Sequence, residues 1–261
     1  MKLLVKIGGT LLDTDESRGR LAREVAGVAR EGHQVVVVHG GGKQMTRFLT
    51  ERGVESRFID GLRVTTPETL DAVLKVLAGS VNKHLVAAMI EAGADVVGLS
   101  GVDGCLVEAE PLRAELGHVG RPVRCNAALL DCLTGAGYLP VVACVAGDRQ
   151  GRMYNINADQ MAVACARGFQ AEKLIFLTDV EGVLGQDKQR LPVLTLSESR
   201  ALIESGLATG GMLAKLNAAG DALVGGIRQV VIAPGSAHDG IARLLAGEAL
   251  GTRLVKEHGD E

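Results

Sequence analysis

The feature that most constrains the fold is a run of four valines, residues 35–38, that opens after His39 into three consecutive glycines. Uninterrupted β-branched residues are typical of a strand buried on both faces in the middle of a parallel sheet. Gly40, Gly41 and Gly42 follow this strand, and residues without a β-carbon can present bare N–H groups to an anion. A plain strand-to-helix turn needs one or two glycines, so three in succession favour an anion cradle.

The rest of the chain alternates apolar strands with amphipathic helices. This alternation predicts an α/β protein with a mostly parallel sheet, helices on both faces, and ligands at the carboxyl ends of the strands. Further strands are predicted at residues 2–7, 94–100, 138–146, 173–178, 228–233 and 252–255, hairpins at 101–125, and helices at 17–31, 67–91, 127–136 and 239–246, with others ending at Gly168, starting at Ser197 and carrying Lys215.

Composition argues for a cytoplasmic enzyme without nucleic-acid or membrane partners. The net charge is −3, and the chain has no tryptophan, two tyrosines and four phenylalanines. It therefore lacks both a basic face and an aromatic platform for nucleic acid. No apolar stretch approaches the roughly 18 residues that cross a bilayer, and the amino terminus has no signal-peptide pattern. The five cysteines include no C-x-x-C pair, so we expect reduced core residues.

Two polar features stand out against this apolar pattern. Lys6 lies inside a buried strand just before two glycines, which favours a functional cation at a strand end over an edge residue whose ammonium reaches water. Asn155, Asn157 and Asp159 are spaced at i, i+2 and i+4, more polar groups than one helix cap requires. Lys215, taken alone, is typical of a solvated helix residue, and we also expect Lys43 and Lys83 to be solvated.

The two common nucleotide loops are absent from the glycine run. A dinucleotide fingerprint starting at Gly40 needs glycine where Met45 stands, and a P-loop needs serine or threonine where Gln44 stands. A phosphate site at this loop must therefore be of another kind.

An ordered series of motifs, spread from residue 2 to about residue 255, resembles the amino acid kinase family. Within the family the resemblance is strongest to members that phosphorylate N-acetyl-L-glutamate in the second step of arginine biosynthesis. The motifs are Lys6-Ile7-Gly8-Gly9, His39-Gly40-Gly41-Gly42, Gly61-Leu62-Arg63-Val64, Asn82-Lys83, Glu115-Leu116-Gly117-His118-Val119-Gly120, Asn155-Ile156-Asn157-Ala158-Asp159-Gln160, Thr178-Asp179-Val180-Glu181-Gly182-Val183, and Gly210-Gly211-Met212 followed by Lys215.

The resemblance implies a three-layer αβα sandwich around a mostly parallel sheet of about eight strands. Residues 2–255 form one amino acid kinase domain, in which about 2–170 hold the amino-acid substrate and about 171–255 hold ATP. Residues 256–261 are left as a polar tail. Mg²⁺ is expected to arrive on ATP and to keep several waters, and no metal-ligand constellation is assigned to the protein.

The resemblance also implies roles for individual residues. Lys6 and Lys215 stabilise the transferring phosphoryl group, and Asp159 orients both lysines. The implied substrate contacts are Gly41, Gly42, Arg63, Asn155 and Asn157. The implied ATP contacts are Gly8, Gly9, Asp179, Val180, Glu181, Gly182, Val183, Leu184, Leu207, Ala208 and Thr209.

Family members pair the long helix after the Gly-Leu-Arg-Val motif across a two-fold axis, which implies a homodimer. Arginine-inhibited members carry a helix before the first strand; here Met1 is followed directly by the strand, so we expect a dimer that arginine does not inhibit. Two alternatives stay open. One is a kinase of the same family acting on another carboxylate, such as aminoadipate or a carrier-protein-linked glutamate, and the other is a non-catalytic ligand-binding member. Retention of both lysines and the aspartate favours the enzyme.

Overall fold

The computed structural model describes residues 1–257, so most of the predicted polar tail, 258–261, lies outside the described residues. The strands are β1 Lys2–Ile7, β2 Gln34–His39, β3 Phe58–Ile59, β4 Leu62–Arg63, β5 Val96–Ser100, β6 Val107–Pro111, β7 Val119–Cys125, β8 Leu139–Ala143, β9 Val145–Gly147, β10 Met153–Ile156, β11 Lys173–Thr178, β12 Val193–Thr195, β13 Gln229–Pro234 and β14 Thr252–Val255. The α-helices are α1 Asp15–Arg30, α2 Gly42–Thr50, α3 Pro67–Val73, α4 Asn82–Glu91, α5 Ala127–Gly135, α6 Ala158–Phe169, α7 Leu196–Glu204, α8 Gly210–Val224 and α9 Gly240–Leu245.

Eight strands form one sheet in the order β12-β14-β13-β11-β1-β2-β8-β5. Every pairing in it is parallel except that of β13 with β14. Because β1 lies between β2 and β11, residues from both halves of the chain meet at the centre of one sheet. The predicted α/β fold with a mostly parallel eight-stranded sheet is confirmed.

Both faces of the central strands are covered by helices. Leu3, Leu4 and Val5 are consecutive in β1 and all are at most 1% exposed, although successive side chains of a strand point to opposite faces. Helices α1, α4 and α9 pack together on one side, and α5, α6 and α8 pack together on the other. The valine run of β2 is buried in the same way, as its sequence predicts.

The predicted helix over 67–91 is continuous but not uniform. Thr66 caps its start by accepting a hydrogen bond from the Thr69 N–H at 3.1 Å, and Leu74–Val81 is wound as a π-helix between α3 and α4. This helix is long and apolar enough to cross a membrane by those criteria alone, and 39% of its apolar window is buried inside the protein. The expectation that no stretch reaches that length was therefore wrong, although Leu85 and Met89 lie fully in the core.

Four short strands, β10-β7-β6-β9, close into a small barrel beside the sheet. The antiparallel pair β6–β7 confirms the hairpins predicted at 101–125. The single strand predicted at 138–146 is in fact two, because the chain leaves the sheet at Cys144 and β9 joins the barrel. The expectation of core cysteines holds for Cys144 and Cys165, whereas Cys105 and Cys132 are exposed.

Candidate active site

A cavity of about 420 Å³ opens at the carboxyl ends of β1 and β2, where ligands bind in open parallel sheets. The amino ends of α6 and α8 reach the same cavity. It brings together most of the residues predicted to bind substrate or phosphate. Those lining it are Lys6, Gly9, Gly41, Gly42, Arg63, Asn155, Asn157, Asp159 and Lys215.

Two lysines share one carboxylate on the wall of this cavity. The Lys6 Nζ lies 2.7 Å from Asp159 Oδ1, and these side chains are only 6% and 7% exposed. The Lys215 Nζ lies 3.6 Å from Asp159 Oδ2, and that side chain is 15% exposed. The group therefore holds two ammonium cations against one anion, and its net positive charge faces the cavity.

The environment keeps Asp159 ionised. Burial alone would raise the pKa of its carboxyl, but the Lys6 and Lys215 ammonium groups outweigh burial, so the pKa lies below its ordinary value. Burial lowers the pKa of Lys215, and the attraction of Asp159 offsets this in part. Asp159 is therefore suited to holding two cations in place and unsuited to accepting a proton near neutral pH.

Two glycine loops meet beside these charges. A β-carbon on Gly9 would lie 2.7 Å from the backbone nitrogen of Gly41 and 3.1 Å from that of Gly42, so only glycine allows the loops this close. Within residues 1–257 the Gly41 N–H donates to no protein acceptor, and Gly42 is the first residue of α2, where N–H groups lack intrahelical partners. Bare N–H groups and the α2 amino terminus thus supply positive electrostatic potential to the cavity.

Arg63 lies across the cavity on the β3–β4 hairpin. Its Nη2 donates to the Gly42 carbonyl at 3.2 Å and to Thr46 Oγ1 at 2.8 Å, and its guanidinium stacks over the Phe58 ring at 4.7 Å. Burial lowers the pKa of this half-buried group. Together with the hydrogen bond from Arg63 Nη1 to Ser56 Oγ, these contacts hold in the lining of the cavity a planar guanidinium, a group whose donor geometry suits a carboxylate.

The two asparagines have different surroundings. The Asn155 Nδ2 donates to Thr65 Oγ1 at 3.0 Å, which ties β10 to the segment that follows Arg63. The Asn157 Oδ1 accepts from the Asp159 N–H at 2.9 Å and the Gln160 N–H at 3.2 Å, so this side chain is the cap of α6. Asn157 therefore fixes the start of the helix that carries Asp159.

Of the residues predicted to contact ATP, Gly9 lines this cavity, whereas Gly8 and the residues at 179–184 and 207–209 are not among its lining residues. The Gly8 N–H donates a hydrogen bond to the Leu177 carbonyl at 3.0 Å, so this N–H is not available to a phosphate. Residues 179–184 follow β11 at the carboxyl edge of the sheet, where Val180 is 42% exposed and Leu184 51% exposed. Val183 and Ala208 are buried in the core, which leaves only their backbone atoms for a nucleotide.

Other cavity residues were not singled out from the sequence. Phe58 is 52% exposed and pairs with Arg63 across the hairpin. Strands of two residues are too short to be predicted from the sequence pattern, so this contact was not expected. Cys144 lines the cavity, and burial raises the pKa of its thiol to about 12. The position of Cys144 at the carboxyl end of a predicted strand is the sequence feature that could have identified it as a cavity residue. In the part of the chain described here, no group of three or more His, Cys, Asp or Glu side chains could hold a metal ion.

Comparison with known proteins identifies a family and several relatives that match most of this chain. The sequence model described as the amino acid kinase family matches residues 1–234. An acetylglutamate kinase of Solibacter usitatus is 63% identical over 255 residues, which are 98% of this chain and 99% of that protein. An acetylglutamate kinase of Acidobacterium capsulatum is 44% identical over 91% of this chain and 92% of that protein.

Solved structures share the fold. N-acetylglutamate synthase from Neisseria gonorrhoeae, complexed with coenzyme A and N-acetyl-glutamate, superposes with a TM-score of 0.89 at 25% identity. The match covers 98% of this chain and 59% of that longer one.

Proposed function

The chain belongs to the amino acid kinase family, and we propose that it transfers the γ-phosphoryl group of ATP to the side-chain carboxylate of N-acetyl-L-glutamate. The product is N-acetyl-L-glutamyl 5-phosphate, the second step of arginine biosynthesis. The relatives named acetylglutamate kinase match nearly the whole chain. The observation that carries the proposal is the buried Lys6–Asp159–Lys215 group beside two glycine loops.

The chemistry needs cations more than it needs a base. An acceptor carboxylate oxygen forms a bond to the γ-phosphorus while the bond to the β,γ-bridging oxygen breaks, and ADP leaves with that electron pair. The acceptor is already an anion at neutral pH, so no proton has to be removed. Asp159, which the two lysines hold ionised, therefore acts as an orienting anion.

Lys6 and Lys215 oppose the repulsion between the two reacting anions. Charge on the transferring group spreads over its equatorial oxygens, and catalysis of this reaction is mostly positioning and electrostatic stabilisation. One ammonium extends from β1 and the other from α8, and Asp159 fixes both. Gly9 lines the same cavity as these lysines and is assigned to the phosphate.

The acceptor is assigned to the other half of the cavity. The Arg63 fork is suited to a bidentate pair with the α-carboxylate, which a lysine cannot reproduce. Gly41 and Gly42 offer N–H groups to the acceptor, and Asn155 lines the same cavity. The finer assignment of 179–184 and 207–209 to adenine and ribose stays a prediction, as does the division into a substrate lobe and an ATP lobe near residue 170.

ATP is proposed to bring Mg²⁺, which neutralises phosphate charge when bound and keeps several water ligands. The residues present fit a triphosphate. Lys6 and Lys215 bring two positive charges against the single negative charge of Asp159. The backbone at Gly9 also lies so close to Gly41 that a side chain on Gly9 would fill the space between the two loops. Since ATP is the donor, we place the reaction in the cytoplasm.

An ATP-consumption assay with a panel of acceptors tests the proposal. Hydroxylamine traps an acyl phosphate as a coloured hydroxamate, and the panel comprises N-acetyl-L-glutamate, N-acetyl-L-aspartate, L-glutamate, L-aspartate and L-α-aminoadipate. We expect hydroxamate and ADP in equal amounts with N-acetyl-L-glutamate. Turnover of aminoadipate instead, or binding of N-acetyl-L-glutamate without ADP release, would replace the proposal with one of its alternatives.

We also propose a homodimer formed through the helix over 67–91. Most of its apolar window is not buried within one chain, and Ile90 is 56% exposed, so a second copy would cover apolar surface. Light scattering should give twice the 27.2 kDa of one chain; the mass of a single chain would contradict the proposal.

A further inference from the structure

A chain of hydrogen bonds runs from the exposed Lys83, on the helix over 67–91, through the buried Asn82 and His39 to the three-glycine loop. The Lys83 Nζ donates to Asn82 Oδ1 at 3.0 Å and to the Gly98 carbonyl at 3.3 Å. The Asn82 Nδ2 contacts His39 Nε2 at 3.1 Å and the Val141 carbonyl at 2.9 Å. The chain ends where His39 Nδ1 meets the Gly40 carbonyl at 2.9 Å.

The partners allow only one direction of donation. The Asn82 oxygen accepts from an ammonium, so its amide nitrogen is the donor; its nearest acceptors are the Val141 carbonyl and His39 Nε2, and the Leu99 carbonyl lies farther away at 3.5 Å. Nε2 is therefore an acceptor, and Nδ1 carries the proton that it donates to the Gly40 carbonyl. His39 is 0% exposed, and burial lowers its pKa to about 4, so the ring is neutral as this direction requires.

The surrounding backbone makes room for this arrangement. Asn82 begins α4 directly after the π-helical segment, a kind of irregularity that is frequent at functional sites. A β-carbon on Gly98 would lie 2.3 Å from Asn82 Oδ1 and 2.7 Å from Lys83 Nζ. Gly98 of β5 therefore leaves the space that the Asn82 amide occupies.

The target of the chain is one peptide unit of the glycine loop. The preceding peptide, between His39 and Gly40, is held by two hydrogen bonds. The Gly40 N–H donates to the Ile7 carbonyl at 3.0 Å, and the Cys144 thiol donates to the His39 carbonyl at 3.0 Å. The peptide after it is held by the Met45 N–H on the Gly41 carbonyl at 2.9 Å. The Gly40–Gly41 peptide between them is held through His39.

A planar trans peptide points its carbonyl and its N–H in opposite directions. We propose that His39 and Asn82 are positioning residues, which hold the Gly40 carbonyl toward the protein interior so that the Gly41 N–H faces the bound acceptor. This inference rests on the proposed function, because that function assigns Gly41 to the acceptor. It gives a role to Asn82 of the Asn82-Lys83 motif, while Lys83 is exposed as the sequence predicts and contacts Asn82 Oδ1 with its ammonium.

Two substitutions of His39 test the roles of its two ring nitrogens separately. The amide nitrogen of asparagine lies the same number of bonds from Cβ as Nδ1, and that of glutamine the same number as Nε2. His39→Gln removes the donor to Gly40, so we expect the N-acetyl-L-glutamate KM to rise at least about tenfold, with the ATP KM changed less than about twofold. His39→Asn keeps that donor and should restore most of the acceptor KM.

Controls distinguish positioning from general support of the core. Thr134→Val removes another buried side-chain hydrogen bond, from Thr134 to the Leu130 carbonyl on α5, and should leave both KM values unchanged. Asn82→Leu removes the donor to Nε2 and should raise the acceptor KM as His39→Gln does. If His39→Gln and His39→Asn raise the acceptor KM equally, or if the ATP KM rises as much, the inference is wrong.

Imidazole ¹⁵N NMR of the unsubstituted protein tests the same inference without any activity. The chain has six histidines, and the signal missing from His39→Asn identifies His39. At pH 7 we expect a neutral ring protonated on Nδ1, and in Asn82→Leu a mixture of tautomers. A ring protonated on Nε2, or on both nitrogens, would overturn the inference even if no variant is active. Failure of the unsubstituted enzyme to phosphorylate N-acetyl-L-glutamate would instead contradict the proposed function.

Discussion

Replacing Asp159 by asparagine should separate the electrostatic role of this residue from its shape. The change removes the charge but keeps the volume and most of the hydrogen-bonding capacity of the side chain. Lys6, 6% exposed, loses its partner at 2.7 Å, and Lys215 loses its partner at 3.6 Å. Two ammonium groups then lie close together in the largely desolvated wall of the cavity, and no carboxylate between them neutralises their charge.

The structure sets the size of the expected effects. Removing one partner of a buried ion pair costs about 3–5 kcal/mol of unfolding free energy. We expect Asp159→Asn to lose an amount in this range, and kcat to fall at least about a hundredfold, or roughly 2.7 kcal/mol of transition-state stabilisation. The ATP KM should not rise, because the phosphates bring negative charge to the two uncompensated lysines.

Urea unfolding monitored by circular dichroism gives the stability change, and the hydroxamate assay gives kcat and both KM values. Saturating ATP should raise the unfolding midpoint of Asp159→Asn by more than that of the unsubstituted protein. Asp71→Asn is the matched control, because it breaks an exposed pair with Lys75 whose side chains are 61–63% exposed and should cost at most about 1 kcal/mol. An Asp159→Asn variant with normal stability and kcat would refute the account of the site.

Three further predictions concern single side chains. Lys215→Ala should lower kcat at least about a hundredfold while each KM stays within a few-fold, because the ammonium contact strengthens in the transition state. Steady-state kinetics measure both effects, and a folded variant with near-normal kcat would remove Lys215 from the mechanism. Arg63→Ala should weaken acceptor binding by about 2–4 kcal/mol and change the ATP KM little, and Arg63→Lys should recover only part because the fork is lost; equal effects on both substrates would show that Arg63 supports the fold instead. Burial lowers the His39 pKa from 6.5 to about 4, so as pH falls through this window the unfolded chain gains a proton that the folded chain does not. Unfolding free energy should therefore fall by about 3 kcal/mol between pH 6.5 and 4 through this residue; urea titrations across pH should show a shallower decline for His39→Asn, and equal slopes would count against the buried neutral ring.

Several parts of the fold were predictable because their signals are local. The four valines of β2 are buried as a β-branched run predicts, and the start of the long helix at Pro67 follows from the Thr66 cap. The break at Cys144 was missed, since an apolar run gives no sign of where a strand leaves one sheet for another. The π-helical segment was also missed, because its sequence is that of an ordinary apolar helix.

The sequence by itself determined the alternation of strands and helices, the glycine loops at strand ends and the ordered motifs of the amino acid kinase family, since each depends on residues close together in the chain. The tertiary structure decided that Lys6 of β1 and Lys215 of α8 meet on one carboxylate of α6. It also decided that Asn82 reaches His39 through the space at Gly98. These contacts join residues far apart in sequence, and they depend on crossovers and packing that bring the carboxyl ends of parallel strands to one edge.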